Sequence, residues 1–269
     1  MKLLESLSGR AFLFCVLISC IVAFFFYPRW EKQGTESTLS WDASGYYLYL
    51  PAIFIYKDIK KCEFRDSILT KYRPTPDFQQ AYFHEPSGHF VMKYSSGQAL
   101  IEAPFFFIGH LWARSADQYA EDGFSYPYQA AVGIGLFLFS LIGLYYLRKI
   151  LLLFFKELTV AMLLLLYVIG TNYINYSAVD QAMTHSTLFT IYCLLLWNTI
   201  QFYKDYNKGR ALLLGLLCGL ATLIRPTDII SVLIPLFWGV HSVETLTERY
   251  TWVTKNFHLL ALAALGFAF

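Results

Sequence analysis

What most constrains this chain is its succession of apolar runs set apart by short polar segments: Ala11–Tyr27, Ala99–Trp112, Pro127–Leu147, Leu158–Tyr176, His185–Tyr203, Ala211–Ile224, Ile229–Val240 and Phe257–Phe269. A helix needs about 20 residues to cross a bilayer, within a range of about 17–25, so several runs must tilt or draw on their flanks. The chain is 57% hydrophobic and only 15% charged, against about 25% charged in ordinary soluble domains. It therefore reads as an all-α polytopic membrane protein.

The first run follows Lys2 and Arg10 like a signal peptide, but it lacks a small-x-small cleavage site and further runs follow, so it reads as a retained signal anchor. One transmembrane domain, residues 1–269, is expected: a first span over 10–27, a long polar loop over 28–98, and helices over 99–269, the last stopping inside an apolar run as if the chain were cut short. No internal repeat is visible. The net charge of +2 is spread between the runs and offers no basic stripe for nucleic acid. Cys15, Cys20, Cys193 and Cys218 lie in apolar segments and Cys62 stands alone, which suggests neither a disulfide framework nor a thiolate metal site. There is no P-loop, no GxGxxG after a strand and no GxSxG elbow, so nucleotide chemistry is not expected.

Basic residues in short loops set orientation. If Ala99–Trp112, which contains Glu102 and Pro104, re-enters rather than spans, then Lys2, Arg10, Arg148, Lys149, Lys156, Lys204, Lys208, Arg210, Arg249 and Lys255 fall on the cytoplasmic side, leaving Arg114 and Arg225 opposite. A full span there would reverse everything after it, against the positive-inside bias. The favoured arrangement brings Asp42, Lys93, Asp180, His185, Arg225 and Asp228 to the non-cytoplasmic face, near the ends of apolar segments. Ionisable groups at such depths generally face a bundle interior or a wet cleft.

Each of these residues has a bland role as well. Asp42, in "SWDASGYY", suits a solvated loop or a cap for a helix starting near Gly45, and Trp41, Tyr46, Tyr47, Tyr49 and Tyr56 suit an interfacial aromatic belt. In "KYSSGQALIEAPFFF", Ser95 or Ser96 suits an N-cap, and the helix start after Lys93 would also suit a phosphate. Asp180 and His185 suit a polar loop before a span; no HxxH or HExxH spacing supports His185 as a metal ligand. Arg225, in "GLATLIRPTDII", could snorkel, pair with Asp228, or hold a phosphate with its fork.

The order of these segments resembles a known family. An apolar anchor, an outer loop with an early Asp, Lys-Tyr-x-x-Gly before Ala-Pro-Phe-Phe, Met-x-His before a span, and Gly-Leu-Ala-x-Leu-x-Arg-Pro-Thr together are similar to bacterial integral-membrane glycosyltransferases of the GT-C fold, relatives of protein O-mannosyltransferases and lipid A aminoarabinose transferases. The likeness runs from about residue 10 to 240. It implies a transmembrane helix bundle whose long first extracytoplasmic loop carries short interfacial helices, in the bacterial inner membrane. It also implies a polyprenyl-phosphate sugar donor, and a glycan, lipid or protein acceptor. The family's catalytic acid maps onto Asp42; where the family often has an acidic pair, Ala43 follows here.

On that resemblance Asp42 would act as general base in a single inverting displacement. Lys93, Arg225 and His185 would bind the donor phosphate, and Asp180 and Asp228 would be pocket residues or a second acid. No cofactor is required, since the lipid-phosphate sugar is a substrate; some relatives with this fold use a divalent metal. The competing expectation is a non-catalytic membrane protein with the same bundle, either a transporter or a lipid-binding assembly partner. A transporter would favour paired repeats with broken helices.

Overall fold

The computed structural model describes residues 3–268; Lys2, counted above among the cytoplasmic charges, and Phe269, the end of the last run, lie outside the described residues. The chain is mostly helical. Helix α1 (Leu7–Ile21) starts at Ser6, whose hydroxyl accepts the Gly9 amide at 3.0 Å, and continues through a π-turn over Val22–Phe26. Short helices α2 (Trp41–Tyr47), α3 (Tyr49–Phe54) and α4 (Arg65–Tyr72) follow, then strands β1 (Ala81–His84) and β2 (His89–Met92), then α5 (Gly97–Arg114). The remaining helices are α6 (Tyr126–Leu151), α7 (Glu157–Gly170), α8 (Thr184–Lys204), α9 (Lys208–Ile224), α10 (Leu233–Phe237), α11 (Val243–Lys255) and α12 (Phe257–Ala268). Among the described residues two helical stretches, Leu7–Glu31 and Tyr126–Leu151, are long and apolar enough to cross a membrane.

Side-chain contacts fix the direction of each long helix. Glu157 accepts the Ser8 amide at 2.9 Å and Cys15 meets the Leu164 carbonyl at 3.7 Å, so α1 and α7 run parallel. Arg148 donates to the Ser8 hydroxyl at 2.9 Å while Phe24 packs edge-on against Phe137, so α6 runs antiparallel to α1. Thr190 donates to the Phe139 carbonyl and Trp197 packs on Tyr146, which makes α8 parallel to α6. A Cβ on Gly215 would strike Ala263 and one on Gly219 would strike Phe267, four residues on in both helices, so α9 and α12 run parallel at very close range. Arg148, Lys156, Lys204, Lys208, Arg210 and Lys255 thereby gather at one end of the bundle, and Trp30, Asp180, His185 and Arg225 at the other.

At the first end the guanidinium of Arg148 is buried and donates to both Ser6 and Ser8, at 2.9 Å each. Charged-group hydrogen bonds in a buried setting are worth about 1.5–3 kcal/mol each. Arg148→Ala is therefore expected to cost about 2–4 kcal/mol, read as loss of thermal stability in the purified protein.

Helix α5 does not cross the bundle. Both its flanks lie at the Arg225 end: the segment after it is tied to the long loop before it by Tyr47 donating to the Gly123 carbonyl at 2.6 Å, Tyr56 to the Asp122 carbonyl at 3.1 Å, and Lys71 and Tyr72 to the Asp122 carboxylate at 2.7 and 2.6 Å. Burial of Tyr47, Phe106, Phe124 and Tyr128 in one aromatic cluster holds α2, α5 and the start of α6 together.

The hairpin is a departure from an otherwise helical chain. Tyr82, Phe83, Phe90 and Val91 favour strands, and Glu85 to Gly88 form a turn in which Gly88 takes φ 65°. The pairing ends at Ala81 opposite Met92, and the Lys93 amide adds one further bond to the Gln80 carbonyl at 2.9 Å. That bond aims the Lys93–Gly97 segment across the end of α2.

Candidate functional site

Asp42 lies within the first turn of α2, and its carboxylate caps nothing. Its Oδ1 instead accepts the phenol of Tyr94 at 2.5 Å and stands 4.0 Å from the Lys93 ammonium. Among the described residues Oδ2 has no protein partner, and the side chain is 52% exposed. An ion pair this exposed contributes about 0–1 kcal/mol to stability, so folding gains little from it. One oxygen is held in place and the other is open to a ligand.

Glycine makes this contact possible. A Cβ on Gly45 would sit 2.4 Å from the Tyr94 ring, so only a residue without one lets the ring lie across α2 and reach Asp42 one turn back. The ring stacks at a tilt on Tyr46, with centroids 4.2 Å apart, and the Tyr94 carbonyl accepts the Tyr49 hydroxyl at 2.5 Å. Burial, followed by the hydrogen bond to Asp42, pushes the Tyr94 phenol well above its ordinary value. Tyr94 thus remains a donor to Asp42 at any working pH.

His185 and Arg225 form a second pair. Nε2 of His185 lies 3.4 Å from the Arg225 guanidinium, and its ring stacks on Tyr176 at 3.9 Å between centroids. A guanidinium only donates, so Nε2 is the acceptor here, and His185 steadies Arg225. One short segment, Lys93–Gly97, links the surroundings of the two pairs. Gly97 packs so tightly against Leu223 and Ile224 that its Cβ would stand 2.4 Å from the Ile224 nitrogen, and Arg225 is the next residue. Four residues of extended chain span at most about 14 Å, which bounds the distance from Lys93 to that contact.

The other two acids are engaged separately. Asp180 pairs with Arg29 and accepts Asn175 at 3.2 Å; Asp228 accepts the Tyr192 hydroxyl at 2.5 Å. Among the described residues Arg225 makes no ion pair with Asp228, and no cluster of three or more His, Cys, Asp or Glu side chains is placed to hold a metal. Ser96 is the residue before α5, yet its hydroxyl makes no capping bond.

Sequence reasoning did not single out Tyr94, Tyr176, Gly45 or Arg29. Tyr94 lay inside the Lys-Tyr-x-x-Gly motif beside Lys93, but nothing local says that a tyrosine there reaches an acid 52 residues earlier. Compared with family models, curated proteins and solved structures, the chain matches none.

Proposed function

We propose that this chain is a polytopic, GT-C-like membrane glycosyltransferase of the bacterial inner membrane, moving a sugar from a polyprenyl-phosphate donor to an acceptor hydroxyl at the extracytoplasmic surface. The observation that carries this reading is the state of Asp42: half-exposed, oriented through Oδ1 by Tyr94 and Lys93, with Oδ2 open. A general base needs an accessible lone pair on a fixed group. The opposite end of the bundle collects the basic residues of the short connections, as expected of a cytoplasmic face.

In this reading Oδ2 of Asp42 takes the proton of the acceptor hydroxyl as its oxygen attacks the anomeric carbon. The bond from that carbon to the phosphate oxygen breaks, and the lipid phosphate leaves with the electron pair. A second carboxylic acid, which an inverting hydrolase needs for its leaving oxygen, is dispensable because phosphate leaves readily once its charge is met. Lys93 and Arg225 supply that charge, with His185 holding the Arg225 fork.

The test is transfer from synthetic polyprenyl-phosphate sugars by the full-length protein and by Asp42→Asn; equal rates would remove the base. Gly45→Ala provides a second check. Its methyl drives the Tyr94 ring off Asp42, and a misplacement of about 1 Å at a reacting group costs up to about a hundredfold. The expected result is a 10–100-fold lower kcat with the thermal midpoint lowered by a few degrees at most, the overpacking costing about 1–3 kcal/mol.

A further inference from the structure

We propose that the indole of Trp41 is the platform of a saccharide subsite beside Asp42, stacking on the apolar face of a pyranose ring. Trp41 has φ 50°, a left-handed conformation that is a genuine outlier for a bulky residue. Three hydrogen bonds hold it there: its amide donates to the Pro74 carbonyl at 3.1 Å, and its own carbonyl accepts the Ser44 hydroxyl at 2.6 Å and the Gln80 amide at 3.4 Å. The outcome is a tryptophan left 51% exposed where the nearby residues of the chain Leu39, Tyr46 and Tyr47 are buried. Folding alone favours a relaxed backbone at this position. Strain that the surrounding structure over-determines is a mark of a functional position.

The chemistry around the ring matches a sugar. Trp41 and Asp42 are adjacent in the chain and both are about half exposed, so one ligand at this surface can reach the two. Asp42 and Lys93 present an acceptor and a donor for hydroxyls, and an aromatic face takes the C–H side of the ring. The assignment rests on the glycosyltransferase reading for the identity of the sugar's carrier, but binding and transfer can be measured apart.

The experiment uses the full-length protein in nanodiscs, with short-chain prenyl-phosphoryl hexoses and the sugar-free prenyl phosphate titrated calorimetrically. Trp41→Gly relieves the left-handed backbone and removes the ring, so its thermal midpoint should stay within about 4 °C of wild type, backbone relief offsetting the lost burial, while hexose-donor affinity falls about tenfold. Trp41→Phe, which keeps a ring, should lose about two- to threefold. Trp41→Leu keeps the strained backbone without a ring and should weaken binding like the glycine variant, so it carries the comparison if the glycine variant does not fold. Hexose-donor affinity unchanged in Trp41→Leu, or a wild-type protein that prefers the hexose donors no more than prenyl phosphate, overturns the subsite. Asp42→Asn separates the two claims: undiminished transfer in that variant removes the catalytic base and leaves the Trp41 affinity comparison standing.

Discussion

Asp42→Asn is expected to lower kcat for sugar transfer by about 10²–10⁴-fold, the usual contribution of a positioned general base, with donor affinity within about twofold of wild type. The amide keeps the shape of the side chain and can still accept the Tyr94 hydroxyl through its oxygen. What it loses is the basic lone pair on the second atom, which becomes an N–H donor. A base acts only as the proton moves, so the loss falls on kcat and spares the ground-state complex. Transfer rates and calorimetric donor affinities measured on the same preparations check both halves. A parallel rise in Kd would instead make Asp42 a binding group.

Gly215→Val is expected to have the largest effect on stability, at least about 3 kcal/mol, and to detach α12 from α9. A Cβ at position 215 would lie 1.9 Å from the Ala263 carbonyl oxygen, and one at Gly219 would lie 2.5 Å from that of Phe267. Both obstacles are backbone, so a rotamer change cannot relieve them. Overpacking a core costs about 1–3 kcal/mol when side chains can yield, and here a helix must move. Gly266 makes the same approach from the other side, its Cβ position 2.4 Å from the Leu212 carbonyl oxygen. Small residues four apart at a close crossing are a known way for helices to associate where lipid removes the hydrophobic drive between them. Loss of thermal stability, with faster proteolysis between α11 and α12, reports the change; Gly170→Val, where a Cβ meets nothing, is the control and should cost less than about 1 kcal/mol.

The helical runs were legible because apolar composition over a sustained length is a local property. The asymmetry of Arg148, Lys156, Lys204, Lys208 and Arg210 favoured re-entry of Ala99–Trp112; the bonds from Tyr47, Tyr56, Lys71 and Tyr72 across to residues 122–123 show that the two flanks of α5 lie at one end of the bundle. The close contact at Gly215 and Gly219 was not singled out in the sequence, and neither was the partner helix. The pairing of Asp180 with Arg29 was illegible. Their neighbourhood is made by the π-turn Val22–Phe26 after α1 packing on the π-turn Asn175–Val179 before α8, a contact between segments some 150 residues apart.

The sequence by itself determined a helical chain of apolar segments, the grouping of Arg148, Lys156, Lys204, Lys208, Arg210 and Lys255 at one end of it, and offered the short list Asp42, Lys93, His185 and Arg225, because hydropathy and charge act over a few turns of one segment. Only the tertiary structure decided which of these meet: Lys93 with Asp42, His185 with Arg225, and Tyr94 laid over Gly45 to hold the acid. Those contacts join residues tens of positions apart, and they exist because the hairpin register and the tight seat of Gly97 on α9 set where a five-residue segment passes. No single stretch of sequence contains that information.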